Sequence, residues 1–123
     1  MRDPLELHTV VVESARDVHR RLGPGLPEMA YEGALAARFG ALGVDYRRPV
    51  WVPSLAGGRS PGAYRLNFVL EETLPLEVAS VDRLHPARED HVLRCVRVLR
   101  KKAGLLINFN VLRFEDGIRC YWV

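Results

Sequence analysis

Cysteine is scarce in this chain: Cys95 and Cys120 are the only two in 123 residues. They stand far apart and lack the spacing of a metal site. Each lies beside apolar residues, so both read as small buried thiols. Long hydrophobic runs are absent, and no stretch approaches the roughly 18 to 20 apolar residues that a membrane span needs. The start, Met1-Arg2-Asp3-Pro4-Leu5-Glu6, carries acidic residues and no apolar leader segment, so no signal peptide is read there and the expected compartment is the cytoplasm. Repeats, linkers and low-complexity tracts are missing. Ser14, Ser54, Ser60 and Ser80 lack a nucleophile-elbow context, and no glycine-rich phosphate loop with a lysine occurs.

What remains is an ordinary globular composition, 48% hydrophobic and 27% charged, in a length that fits one domain, 1–123, with one core. The net charge is +3 and the pI about 9.2, and the positive charge is almost all arginine. Arginine carries a planar fork suited to carboxylates and phosphates. Clusters occur at Arg16, Arg20 and Arg21, at Arg47 and Arg48, and at Arg94, Arg97, Arg100, Lys101 and Lys102. They allow an acidic partner or a nucleic acid without requiring one, and a solvated face is the favoured reading.

Asp3-Pro4 supplies an N-cap and a first-turn proline. Leu7, Val11, Ala15, Val18 and Leu22 follow at helical spacing until Gly23-Pro24-Gly25 stops the helix. Pro27 opens a second helix carrying Met29, Ala30, Ala34, Leu35, Ala37 and Leu42, which Gly43 ends. Val44 to Val52 reads as a strand whose Pro49 favours an edge or bulge. Ser54 to Gly62 is a hairpin loop. Ala63 to Leu70 is a second strand, Glu71-Glu72 a turn, and Thr73 to Val81 a third strand. Pro86 begins a third helix, with Val92, Val96, Leu99 and Ala103 on one face and Gly104 closing it. Leu105 to Phe109 has the continuous apolar pattern of a strand buried on both faces. Asp116-Gly117 turns the chain into a last strand, Ile118 to Val123. The order α-α-β-β-β-α-β-β predicts an α/β fold, a mixed sheet flanked by helices.

Gly25-Leu26-Pro27-Glu28-Met29-Ala30-Tyr31 reads Gly-x-x-Glu-x-x-Tyr. Tyr64-Arg65-Leu66-Asn67 leads into Pro75-Leu76-Glu77-Val78-Ala79, and Gly104 to Asn110 follows as Gly-Leu-Leu-Ile-Asn-Phe-Asn. Together these pieces resemble the small bacterial GxxExxY family of the PD-(D/E)XK nuclease-like superfamily. The resemblance implies a restriction-endonuclease-like core. It further implies a cleft in which a helix Glu, a strand Asp and the Glu of Glu-x-Lys hold Mg²⁺, which takes oxygen ligands and activates water. In that pattern Glu28 and Glu77 keep two carboxylates, weak candidates for a metal. Asn67 stands for the Asp and Ala79 for the Lys. His91 and Cys95 stand where many members have Gln and Tyr.

The site is therefore read as degenerate, with Glu28, Asn67, Glu77, Ala79 and His91 in one cleft, no catalytic residue, and a gap beside Ala79 where an ammonium would stand. Glu77 is expected to pair with Arg65 or another arginine. Tyr31 and Tyr64 are expected to pack and to hydrogen-bond. The function expected is a non-catalytic interaction or assembly module, self-associating or bound to another protein, with no cofactor and no membrane. One alternative is a nucleic-acid-binding module without cleavage, using Arg47, Arg48, Arg94, Arg97, Arg100 and Lys101. The other is a divergent Mg²⁺ nuclease with Asp82 or His91 as a migrated ligand.

Overall fold

The computed structural model describes residues 2–53 and 63–123, so the expected Ser54–Gly62 hairpin lies outside the described residues. Helix α1, Pro4–Leu22, starts where the Asp3 side chain accepts the Glu6 N–H and ends at Gly23, whose φ of 68° few other residues tolerate. Leu7, Val11, Ala15 and Val18 are buried along it, and Leu22 is not. Helix α2, Glu28–Leu42, ends at Gly43 in the left-handed region. Its buried face is Tyr31, Glu32, Leu35, Ala36 and Phe39. This corrects the expected stripe: Met29 is 81% exposed, because Tyr31, Leu35 and Phe39 bury far more area than the alanines opposite them.

The expected Val44–Val52 strand is two. Strand β1, Tyr46–Arg47, and β2, Val50–Pro53, lie either side of Arg48-Pro49 and belong to different sheets. The next expected strand is also divided, at Asn67, into β3, Ala63–Leu66, and β4, Phe68–Leu70. Strands β2 and β3 pair with each other, while β1 and β4 join β5 (Leu74–Ala79), β6 (Ala103–Asn108) and β7 (Ile118–Trp122). The main sheet runs β1-β4-β5-β6-β7, with β5 and β6 parallel and every other pair antiparallel. It is the mixed sheet of an α/β fold, flanked by helices.

Alternation along the central strands sorts their side chains to two faces. Leu74, Leu76, Val78, Leu105 and Ile107 join the α1 and α2 residues in the largest core cluster. Ala79 and Leu106 face helix α3, Pro86–Val98, together with Val92 and Val96. Each fully buried leucine or isoleucine contributes about 2 kcal/mol. The small β2-β3 sheet packs beside α3 through Val50, Val52, Leu66 and Cys95.

Helix α3 ends earlier than the sequence suggests. Arg100 takes the left-handed turn at φ 56°, and the Lys101 N–H returns to the Val96 carbonyl. Gly104 is consequently no helix stop. It sits in β6, where a Cβ would come 2.6 Å from Val96 Cγ2, so its missing side chain lets α3 lie close on the sheet. A short 3₁₀ turn, Phe114–Gly117, precedes β7. Among the described residues no helix is long and apolar enough to cross a membrane.

Candidate functional site

The break at Asn67 creates the site. There the chain leaves the small sheet for the main one, and the Val78 N–H of β5 would lose its ladder partner. The Asn67 side chain takes that place: its Oδ1 accepts the Val78 N–H at 2.8 Å, and its Nδ2 donates to Glu32 Oε1 at 3.0 Å. Asn67 is 3% exposed, so both ends of its amide are committed inside the protein. Glu32, itself buried, also lies 3.6 Å from Arg65 Nη2 and 3.7 Å from Arg48 Nη1.

Glu28 and Glu32 are one helical turn apart, so both project from α2 toward the same place. Arg88 and His91 are similarly related on α3. Arg88 Nη2 donates to Glu28 Oε1 at 3.1 Å and to the Val78 carbonyl at 3.0 Å, which sets a guanidinium across the cleft. His91 Nε2 lies 3.1 Å from the Arg65 carbonyl and 3.4 Å from Glu77 Oε2. The Arg65 carbonyl can only accept, so this nitrogen carries the proton. The His91 ring meets Tyr64 edge-on with centroids 5.1 Å apart, and the Tyr64 hydroxyl accepts from Arg94 Nη1 at 2.7 Å.

Glu28, Arg65, Asn67, Glu77, His85, Ala87, Arg88 and His91 line a shallow cleft of about 460 Å³. Ala79 does not line it. That residue is fully buried against Val92, Val96 and Leu106, so the expected gap is filled by apolar side chains. Glu77, expected to pair with Arg65 or another arginine, is corrected to a pair with His91 at 3.4 Å, and Arg65 turns to Glu32 at 3.6 Å. Asp82 is held by Asn110 Nδ2 at 2.8 Å, away from the cleft lining.

Burial pushes Glu77 up to about 7, opposed by Arg88 and Arg65 and reinforced by Glu28 and Glu32. Burial holds His91 below its ordinary value, and Arg88 and Arg94 press it further down, against the hydrogen bond to the Arg65 carbonyl. Both members of the pair thus tend toward their neutral forms near pH 7. Cys95, 3.9 Å from His91 Nε2, is pushed up to about 11 by burial, which keeps it a thiol.

A divalent ion fits this donor set poorly. Mg²⁺ asks for several oxygen ligands in octahedral array. Asn67 already spends its Oδ1 on the Val78 N–H and its Nδ2 on Glu32, Glu28 is bound to Arg88, and a guanidinium would face the ion. Among the described residues no group of three His, Cys, Asp or Glu side chains is placed to hold a metal.

The arginines named for nucleic acid divide. Arg47 makes two bonds to Glu72, at 2.6 and 3.0 Å, and Lys101 Nζ donates to the Glu72 carbonyl. Arg48 turns to Glu32 and Arg94 to Tyr64. Arg97 and Arg100 are exposed.

Tyr31 shows what the Gly-x-x-Glu-x-x-Tyr pattern does in the fold. Its hydroxyl donates to the Gly23 carbonyl at 2.6 Å and accepts the Leu26 N–H at 3.1 Å. Its ring stacks on Phe109, with centroids 4.6 Å apart. The two most specific stretches of the sequence therefore touch, and the pattern clamps the α1–α2 loop onto the end of β6. Cys120, expected buried, is exposed and lies 3.1 Å from His8 Nε2.

Sequence reasoning missed Glu32 and Arg88. The signal was present in their spacings from Glu28 and His91, four and three residues, which place each beside its neighbour on one helix face.

A family model described as the PD-(D/E)XK nuclease superfamily matches residues 5–120. Comparison with curated proteins returns no match, and neither does comparison with solved structures.

Proposed function

Because the chain belongs to the PD-(D/E)XK nuclease superfamily, we propose that it is a GxxExxY-type member whose cleft serves structure, and that it works as a self-associating interaction module. The observation that carries this reading is the double commitment of Asn67. An amide bound at both ends to Glu32 and Val78 ties α2 to β5, so each end is engaged within the protein and the residue is a poor ligand for a cation. Each cleft acid also has a partner within the chain: Glu28 has Arg88, Glu32 has Arg48 and Arg65, and Glu77 has His91. With Ala79 packed in an apolar layer, no ammonium is available to activate water.

Support for association comes from the surface. Met29, Leu112, Trp51, Trp122 and Val123 are between 56% and 90% exposed. Exposed aromatic and large aliphatic side chains favour protein contacts. A cytoplasmic location goes with this reading. The test joins two measurements, a plasmid-nicking assay with Mg²⁺ or Mn²⁺ and sedimentation velocity across a hundredfold concentration range. The reading expects no nicking and reversible association. Cleavage that disappears with Glu77→Ala would make the protein a divergent nuclease.

A nucleic-acid-binding role without cleavage has a narrower footing. Arg97 and Arg100 are exposed and form no ion pair among the described residues, and they could contact phosphates in a salt-sensitive way. Retention of the protein on DNA or RNA at low salt, lost by Arg97→Ala with Arg100→Ala, would favour it.

A further inference from the structure

Strand β7 ends the main sheet, and nothing among the described residues pairs with its outer side. The Val123 N–H donates to the Lys102 carbonyl at 2.8 Å. In an antiparallel ladder, residues whose backbone faces the partner alternate with residues whose backbone faces away. Val123, Tyr121 and Arg119 therefore turn toward β6, and Trp122, Cys120 and Ile118 turn their N–H and C=O groups outward. Natural edges are usually guarded by lysine, proline, bulges or inward charges. Ile118-Arg119-Cys120-Tyr121-Trp122 has one charge and none of the other guards.

Cys120 is the middle residue of this edge. Its Sγ lies 3.1 Å from Nε2 of His8, and the His8 ring stacks on Trp122 with centroids 6.0 Å apart. A nitrogen and a sulfur on one tetrahedral zinc, at bond lengths of about 2.0 and 2.3 Å, stand roughly 3.5 Å apart. The observed pair is within a few tenths of an ångström of that separation. It is half of a four-ligand set, and a single chain offers no third donor among the described residues.

A two-fold axis through Cys120 would supply the other half. Antiparallel pairing about that residue puts Cys120 opposite Cys120 of the second copy, with Cα atoms about 5.5 Å apart in a hydrogen-bonded pair. The same register sets Ile118 across from the second copy's Trp122. On the other face it sets Arg119 across from the second copy's Tyr121, a cation beside an aromatic ring. The strand is thus complementary to itself in this register.

We propose that β7 pairs edge to edge with a second copy, and that the two Cys120–His8 pairs then form a Cys₂His₂ site for zinc. This inference rests on the self-association reading and names its surface and its ligand. Zinc binds thiolate and neutral imidazole. As each S–Zn bond forms, the Cys120 thiol proton passes to buffer, two per ion, and no oxidation state changes.

The experiment is zinc titration by calorimetry in buffers of different ionisation enthalpy, with sedimentation velocity in a non-thiol reductant, on wild type, Cys120→Ser, His8→Ala and Cys120→His. Expected are one zinc per two chains, release of close to two protons per ion, and a dimer tightened at least tenfold by zinc. Cys120→Ser and His8→Ala should lose zinc binding while keeping the wild-type circular dichroism and melting curve. Cys120→His, which restores a ligand atom, should recover it in part. One zinc per chain, or zinc binding indifferent to Cys120→Ser, overturns the proposal. A dimer that forms without zinc and ignores all three variants overturns it too, but leaves the self-association reading standing. A monomer at every concentration, with and without zinc, overturns both.

Discussion

Replacing Asn67 by aspartate introduces the acid that the family resemblance implies at this position, and the structure says that this change should destabilise the protein. The Val78 N–H would still find an oxygen at the Asn67 Oδ1 position, but Glu32 Oε1, now 3.0 Å from an amide donor, would face a carboxylate. Losing a hydrogen bond to a charged acceptor costs about 1.5 to 3 kcal/mol. Two like charges at that distance repel by about 5 kcal/mol at an effective dielectric constant of 20, softened by Arg65 and Arg48 at 3.6 and 3.7 Å. The pair escapes by holding a proton. At pH 7 a carboxyl group with an unfolded value near 4 takes that proton at a cost of about 4 kcal/mol, and the resulting O–H···O⁻ bond returns about 1. The net penalty is about 3 kcal/mol at pH 7.

The sign of its pH dependence follows. The shared proton gives the folded pair a value above that of the unfolded carboxyl. Stability linked to it is therefore present below about pH 4 and lost as pH rises through the folded value. Urea unfolding of wild type and Asn67→Asp at half-unit steps from pH 4.5 to 8 measures this difference. The penalty should be about 1 kcal/mol or less at pH 4.5 and climb to about 3 at pH 7. Millimolar Mg²⁺ should not remove it while Arg88 stays in place. A penalty that is small and flat across the range would refute the argument that Asn67 and Glu32 form one buried hydrogen-bonded unit.

Ala79→Lys should cost about 3 kcal/mol at pH 7, because an ammonium would lie among Val92, Val96 and Leu106. Burial lowers the folded value of that lysine, so the variant should regain stability from pH 7 to 10, read by the same urea titration. Glu77→Gln should flatten the decline of stability between about pH 4.5 and 7, since burial raises Glu77 to about 7 and its linked stability is lost as pH rises. The expected gain is on the order of 2 kcal/mol at pH 8 relative to pH 5. His91, whose value is lowered, acts in the opposite sense, so this variant should be level or more stable as pH rises, followed by Tm. Tyr31→Phe removes the hydroxyl that joins Gly23 and Leu26, and should cost about 1 to 2 kcal/mol with the Phe109 stack intact, measured by urea melts.

The helix ends of α1 and α2 were legible because their signals are local. Asp3-Pro4, Gly23 and Gly43 act through their own backbone geometry, and the structure uses each as expected. The buried face of α2 was less legible, because alanines and Met29 spread apolar character around it while Tyr31, Leu35 and Phe39 decide which side packs. Strand divisions left no trace in the alternation. Val44–Val52 and Ala63–Leu70 keep the same period across their breaks, and only pairing partners distinguish the two sheets. Gly104 misled for a related reason. A glycine that ends a helix and a glycine that admits one against a strand look identical in sequence, and here Arg100 made the turn.

The cleft was legible as a list of positions and illegible as an electrostatic system. Glu28, Asn67, Glu77 and His91 line one cleft, but their properties depend on Glu32 and Arg88, which no motif pointed to. Three carboxylates around a shallow, partly buried space need positive charge nearby, since an unpaired buried charge costs several kcal/mol. A bound dication would be one source. Arg88, Arg65 and Arg48 are another, fixed by the fold and always protonated. The two sources compete, because a guanidinium bonded to Glu28 and to the Val78 carbonyl repels an ion placed beside it. The neutral amide of Asn67 fits the second source and not the first, for an aspartate there would leave Glu32 without its donor. Asn67, Glu32 and Arg88 are therefore best understood as one unit, in which each residue makes sense of the other two.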